Sequence, residues 1–442
     1  MRRHRPPRLV PIRPPARRAC HPRAGRLAAL CATALAALAL PALAAPTAPA
    51  ASLKRPGKLR VESVGVHRIV LRWKERSRGE ARYELGARAD GDAEGTRRLR
   101  PDRSGARSRG LEAGTVYEHR VRACRRGRCS PWSAVARQAT LLSPFNGPHP
   151  PLGCAVLPPG DELNRDVSAA PVDPDSAAIV ARILSEGGDE LHPDFGSNPE
   201  YGIPYAVVPA GQPQVPIRFT AYGDESDRGP YPIPPGMTVE GGDASDGDRH
   251  VLVVRRPAVE GGPCELFELY RAFFRGGRRA GWDADAGAVF DLGAPLPQRP
   301  AGWTSADAAG LPILPGLVTY EEVGSGVIDH AIRITFERTR RAYVDPATHF
   351  ASDDCDPDLP AMGARLRLSA SYDLSSMSGD ARVIAEALKR YGAIVADNGS
   401  NWFISGSTDP RWDDEDLNQL KDVPGSAFEV VRPSTPALDG CS

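Results

Sequence analysis

Several scarcities narrow the reading of this sequence. Lysine is nearly missing, with 51 of the 56 basic residues being arginine. Methionine occurs 4 times, and aromatic residues make up only 6% of the chain. After residue 45 no stretch long enough to span a bilayer is continuously apolar, which excludes a membrane-crossing helix from the body of the protein. No C-x-x-C occurs, which argues against a zinc ribbon or a thioredoxin-type redox centre. The sequence also lacks a G-x-S-x-G elbow, an H-E-x-x-H pair, a phosphate-binding P-loop and a G-x-G-x-x-G turn, so the common hydrolase, metalloprotease and nucleotide signatures are out. Neither a collagen-like nor a heptad pattern runs through it, and at 41% hydrophobic it is too apolar for a disordered chain. What is plentiful is glycine and proline, 44 of each in 442 residues. That favours many short strands joined by turns, in two or three domains.

The first residues carry nine arginines and no acidic residue, followed by an Ala/Leu run from Leu27 to Leu43 and a small-residue end at Ala42-Leu43-Ala44. Basic start, apolar middle and A-x-A end define an export signal, expected over residues 1–45 and removed on secretion. A retained anchor is the other reading, because the apolar run is near the lower length limit for spanning. The expected location is therefore extracellular, with no stable membrane insertion once the signal is cut.

Beyond the signal the charge divides unevenly. Residues 52–141 hold 23 basic and 10 acidic residues, a net +13, whereas residues 142–442 hold 24 and 45, a net −21. Two regions with opposite fields share one chain. They dock on each other or simply stay in solution, or else the basic one holds an anionic surface such as an acidic cell-wall polymer or polysaccharide. Nucleic acid is not an expected partner, since no recognition motif accompanies the charge.

Six cysteines follow the signal: Cys124, Cys129, Cys154, Cys264, Cys355 and Cys441. An even number in an exported chain is read as disulfides. Cys124 and Cys129 flank a four-residue hairpin tip and are expected to pair. The other four admit three pairings that the sequence leaves open.

Residues 57–141 alternate as strands do. Ile69-Val70-Leu71-Arg72-Trp73 ends on a tryptophan, and Leu111, Thr115 and Tyr117 form a Leu-x-x-x-Thr-x-Tyr segment. Ser130, Trp132 and Ser133 close the stretch. On these positions residues 52–141 resemble a fibronectin type III domain. The resemblance implies a seven-stranded sandwich with Trp73 in its core and the Tyr117 hydroxyl tied to nearby backbone. It implies a fold and no activity.

A Pro-rich linker at 142–152 is expected to act as a stiff spacer. The rest, 153–442, reads as a β-rich domain of sandwich or jelly-roll type with a few helices, making the whole chain mainly β. Strands are expected at 215–219, 250–254, 264–270, 288–292, 331–336 and 365–372, the last half-buried with Arg365 and Arg367 facing out. Helices are expected at 381–391, at 414–420 and within 171–183. This region is similar to exported bacterial proteins sharing the phrases Ala-Gly-Trp-Thr-Ser-Ala-Asp-Ala-Ala-Gly-Leu-Pro and Ala-Asp-Asn-Gly-Ser, a resemblance that implies one unit and no chemistry.

Candidate functional residues fall where polar groups interrupt apolar strands or follow them. Glu268 shares a strand face with Leu266 and Tyr270, and a desolvated carboxylate there has the raised pKa that a general acid needs. Asp397, after a helix and a short strand, is the matching base or nucleophile, with Trp402 as a stacking face for a sugar ring. Trp303 with Asp307 repeats that pairing. Arg249 and His250 open an apolar strand. His330 lies on the apolar face with Ile332, Ile334 and Phe336. No cofactor is expected; the series Asp354, Asp356, Asp358 resembles the start of a calcium loop, but Leu359 and Arg365 occupy the positions of its Gly and Glu.

Two classes of function fit. The first is a secreted carbohydrate-active enzyme. As a glycoside hydrolase it would use Glu268 and Asp397 as acid and base on an extracellular polysaccharide. As a polysaccharide lyase it would use His330 as base and Arg249 to neutralise a uronate carboxylate. The second is a non-catalytic polysaccharide-binding or matrix protein. Convergence of at least three of His250, Glu268, His330 and Asp397 in one cleft would favour the enzyme.

Overall fold

Strands in the first region arise where apolar residues alternate with arginines. Ile69, Leu71 and Trp73 point inward while Arg68, Arg72 and Lys74 point out. The computed structural model describes residues 53–77, 82–89, 92–143, 152–276 and 280–441. The expected export signal and residues 144–151 of the expected linker lie outside these.

The first region contains β1 (Gly57–Gly65), β2 (Arg68–Lys74), β3 (Arg82–Ala89), β4 (Gly95–Leu99), β5 (Gly105–Arg109), β6 (Val116–Arg125), β7 (Arg128–Cys129) and β8 (Ala136–Ala139). One sheet runs β1-β2-β5; the other runs β4-β3-β6-β7, with β8 also on β6. Between them lie Ile69, Leu71, Trp73, Tyr83, Leu85, Val121 and Ala123. The expected fibronectin type III-like sandwich is what forms. The tyrosine corner is in place, with the Glu112 N–H donating to the Tyr117 hydroxyl at 3.0 Å. Ser130 and Ser133 accept from the Ala123 and Val121 N–H groups, and Cys124–Cys129 pins the β6–β7 hairpin.

The second region contains β9 (His192–Pro193), β10 (Tyr205–Val208), β11 (Ile217–Phe219), β12 (Val251–Arg255), β13 (Glu265–Tyr270), β14 (Phe273–Arg275), β15 (Gly281–Ala284) and β16 (Ala286–Asp291). It continues with β17 (Ile332–Phe336), β18 (Ala342–Tyr343), β19 (Arg365–Leu368), β20 (Ala393–Asn398), β21 (Phe403–Ile404), β22 (Phe428–Val430) and β23 (Leu438–Asp439). Its two principal sheets run β10-β12-β13-β16 and β22-β19-β20-β17-β21-β9. Both are mixed: β10–β12, β17–β20 and β21–β9 pair in parallel.

The helices are α1 (Ser176–Ser185), α2 (Tyr320–Ser325), α3 (Gly379–Arg390) and α4 (Asp414–Leu417). In α3, Ala381, Ile384, Ala385 and Leu388 recur at helical spacing and are buried. Gly392, at φ 69°, turns the chain after it. Ser378 rather than Asp380 stands at its N-cap. In α2 a capping box is complete, Thr319 and Glu322 each satisfying the other's backbone N–H.

One strand expectation is corrected. β19 stops at Leu368, and all four of its residues are buried, Arg365 and Arg367 included. These arginines donate to the carbonyls of Glu162, Val167, Ala170 and Tyr391, so a strand face that alternation assigns to solvent is covered by the 162–170 segment.

The remaining disulfides are Cys154–Cys264 and Cys355–Cys441, which selects one of the three open pairings. The two regions meet through uncharged groups: Leu142 bridges Val207, Val64 N–H donates to the Pro235 carbonyl, and Gln138 bonds Gln212. Among the described residues no helix is long and apolar enough to cross a membrane.

Candidate functional site

The two principal sheets of the second region are joined by a buried polar cluster, and its centre is a residue that alternation places on an outer face. Arg333, on β17 between Ile332 and Ile334, is only 5% exposed. Its Nε donates to Asp307 Oδ2 at 2.7 Å, its Nη2 to Asp397 Oδ2 at 2.7 Å and its Nη1 to Ser405 Oγ at 3.0 Å. Asp307 comes from the loop after β16, Asp397 from β20 and Ser405 from just beyond β21. Ser305 Oγ accepts from the Asp307 N–H, and Asp307 Oδ1 from the Ala309 N–H, which fixes this loop over the sheet.

His250, at the mouth of β12, forms the second cationic centre. Its Nδ1 lies 2.6 Å from Glu240 Oε2 and its Nε2 lies 3.0 Å from the Ala306 carbonyl. Both partners only accept, so the ring donates at both nitrogens and is an imidazolium. Burial pulls its pKa down, but the Glu240 carboxylate outweighs that and holds it at about 9. Glu240 is correspondingly lowered: burial would raise it, and His250 reverses the shift.

Glu268 lies deeper on the same side. Its register partner on β12 is Leu252, and its face packs against the core of Val254, Leu266, Ala288, Phe290 and Ile313. Both carboxylate oxygens accept from the Ile313 N–H and one from the Leu314 N–H, at 3.0 Å. Burial raises its pKa to about 7, against the pull of those backbone donors. At 0% exposure it reaches no substrate, so the expected acid is a structural one that holds the 313–314 turn.

Four of the expected residues, Glu268, Asp397, Asp307 and His250, therefore share one electrostatic environment. Glu268 and Asp397 each feel both Asp307 and His250. Asp397 is raised to about 6, by burial first and Asp307 second, with Arg333 opposing. Its side chain keeps 21% exposure and that of Glu240 25%, so these two form the solvent face of the cluster. Asp194 joins them. It is exposed, yet its pKa is raised by surrounding protein and by Glu240, as at the wall of a depression. That depression, of about 520 Å³, is also lined by His192, Phe195, Tyr201, Phe403 and Lys421. The His192 and Phe403 rings stack within it, centroids 4.2 Å apart.

Other expected site residues lie elsewhere or are enclosed. His330 makes no hydrogen bond to the Arg333 cluster among the described residues; it is buried between Glu322 and the Ala331 carbonyl, 3.2 and 2.9 Å away. With acceptors at both nitrogens and a raised pKa it is a cation, and it has no lone pair for proton abstraction. Arg249, 5% exposed, donates to the Gly242, Asp243, Ser245 and Ala272 carbonyls and caps the loop before β12. It is not placed to meet a uronate. Trp402 is wholly buried, edge-on to Phe336 at 5.1 Å, so it offers no stacking face. Trp303 is half-buried beside the Arg299 guanidinium, and Asp307 is consumed by Arg333. In the Asp series, Asp354 and Asp356 are paired to Arg338 and Arg182.

The residues that sequence reasoning missed are Arg333, Glu240 and Asp194. Arg333 left one signal, a lone charge inside a mostly apolar strand; Glu240, in a glycine-rich turn, left none.

Neither a described protein family nor a curated protein matches the sequence. Among solved structures, likeness is confined to about a fifth of the chain. A fibronectin type III domain of human collagen XX is 22% identical, covering 21% of this chain and 99% of that one, with a TM-score of 0.19. A two-domain segment of chicken tenascin is 23% identical over 20% of this chain and 50% of its own, also at 0.19. The chain spans about a third of a titin fragment, domains A168–A170, at 20% identity and the same score. These likenesses say nothing about the second region.

Proposed function

We propose that the protein is a secreted carbohydrate-active protein, a glycoside hydrolase acting on an extracellular polysaccharide. The observation that carries this reading is the pair Asp397 and Glu240. Both are partly exposed at one buried cation cluster, and their pKa values are displaced in opposite directions. Two carboxylates held apart in this way can divide acid and base roles. Asp397, protonated below about pH 6, donates to the leaving glycosidic oxygen; Glu240, ionised, activates the water or attacks the anomeric carbon. The depression beyond Asp194, with its His192–Phe403 stack, is where the sugar chain would lie. Three disulfides suit an oxidising compartment.

A non-catalytic polysaccharide-binding protein is the second reading. It is favoured by the complete set of hydrogen bonds that Arg333, His250 and Glu268 already make within the protein. The lyase form is not carried further, because His330 is a cation and Arg249 is enclosed.

The test is reducing-end release from a panel of neutral and acidic polysaccharides, with Asp397→Asn and Glu240→Gln as variants. New ends should appear, fall at least a hundredfold in either variant, and decline above about pH 6 as Asp397 ionises. Binding without release by the unaltered chain would transfer the conclusion to the second reading, and neither binding nor release would end both.

A further inference from the structure

We propose that the solvent face of the β1-β2-β5 sheet is a docking surface for an acidic polysaccharide. Antiparallel pairing sets Arg68 directly opposite Arg109, and Arg60 opposite Arg72. Arg107 lies opposite Val70, between the two positions on β2, and Lys74 continues the same face. Cross-strand and i, i+2 neighbours on a sheet face stand about 5–7 Å apart, so these six cations form a continuous lattice. All six are exposed. Arg72 is paired, to Glu62 at 2.8 Å; among the described residues no acidic side chain pairs with the other five.

Like charges directly opposed on a sheet destabilise it, and an exposed face normally mixes both signs. Apart from Glu62, which pairs with Arg72, this face keeps its repulsion, and the acidic region of the same chain does not relieve it. The two regions meet through uncharged groups at Val64, Gln138 and Leu142, leaving the cations open to solvent. The surface is thus complementary to a linear polyanion brought from outside. Its chemistry selects among polyanions. Beneath the cations lie half-buried Val70, Ser63 and Gly65, with no aromatic ring to stack a base and no exposed large apolar group of the kind that enters a bilayer. Sulfate or carboxylate groups spaced along a sugar chain meet the lattice through charge alone. This docking is independent of the chemistry at Asp397, so either can fail without the other.

The experiment measures binding of the full mature chain to heparin and to polygalacturonate, which separate sulfate from carboxylate, across 50–200 mM salt. Binding should weaken with salt by about tenfold or more. R68S/R109S should weaken it by about a further tenfold, while R218S/R390S, the same charge change at exposed arginines of the acidic region, should leave it intact. The melting temperature of R68S/R109S should hold or rise, because repulsion is removed, and this separates lost binding from lost folding. Equal weakening in both variants would overturn the proposal in favour of net charge alone. Tighter binding to duplex DNA, or to phosphatidylserine vesicles, than to either polysaccharide would overturn it in favour of those partners.

Discussion

Each region of the molecule buries a histidine, one within a strand and one just before a strand, and the two are treated in opposite ways. His119, on β6 in the basic region, is 0% exposed, and neither of its ring nitrogens has a hydrogen-bond partner. Burial, with Arg97 nearby, pushes its pKa down to about 4, so it is neutral. His250, on the acidic side, is 2% exposed, has acceptors at both nitrogens and is held at about 9. Burial favours the neutral ring in both; a carboxylate beside His250 reverses that preference, whereas the charge near His119 adds to it. The basic region surrounds its core with arginine and leaves the imidazole neutral, whereas the acidic region supplies a carboxylate and makes it a cation.

The regions also differ in how they are tied, and this gives the largest expected effect. Cys124–Cys129 spans a separation of 5 residues and Cys154–Cys264 one of 110. Loop-closure entropy then expects about 2 kcal/mol from the first and about 5 kcal/mol from the second. Replacing each pair by serine and comparing denaturant midpoints checks this; equal losses would mean that the long-range disulfide does not limit the unfolded chain.

Next comes the buried cluster. Arg333→Met removes the cation that compensates Asp307 and Asp397 and should cost about 3–5 kcal/mol near neutral pH. Both carboxylates already have raised pKa values through burial, so mild acid should recover part of the loss by protonating them. Urea titrations at pH 5 and pH 7.5 read this directly. An identical deficit at both values would show that the guanidinium serves packing rather than charge.

The smallest effect returns to the histidines. His119→Phe relieves two unpartnered polar atoms and should gain about 1 kcal/mol. A histidine lowered to about 4 in the folded state, against 6.5 for a free one, favours folding fully above pH 6.5, and that contribution is lost as pH falls toward 4. The advantage of the phenylalanine variant should therefore widen from pH 7 to pH 5 in thermal melts. For His250, raised to about 9, the sign reverses: its contribution is complete below pH 6.5 and is lost as pH rises through 9. A phenylalanine advantage that narrows in acid would contradict the neutral assignment of His119.

Local patterns carried the first region almost completely. Trp73, the Tyr117 corner and the Cys124–Cys129 hairpin are each settled by neighbours within a few residues or by one strand's alternation. The same holds for α3, whose apolar spacing is visible in the sequence. The candidate site was legible only as residue types. Glu268 and His250 stand out in the sequence as polar groups beside apolar strand residues and Asp397 as a turn residue, whereas in the fold Glu268 holds a backbone turn and Trp402 fills the core.

By itself, then, the sequence determined a mainly β chain, a fibronectin type III-like sandwich of net positive charge and a larger acidic region stabilised by disulfides. Only the tertiary structure decided that Arg333 is buried at the junction of Asp307, Asp397 and Ser405, that Arg365 and Arg367 face inward, and which cysteines pair beyond the first hairpin. The reason is physical. Strand alternation reports which residues share a face, but whether that face meets water or another segment depends on partners 26 to 203 residues away. A charged side chain in a strand reads the same in sequence whether solvent or a buried carboxylate compensates it.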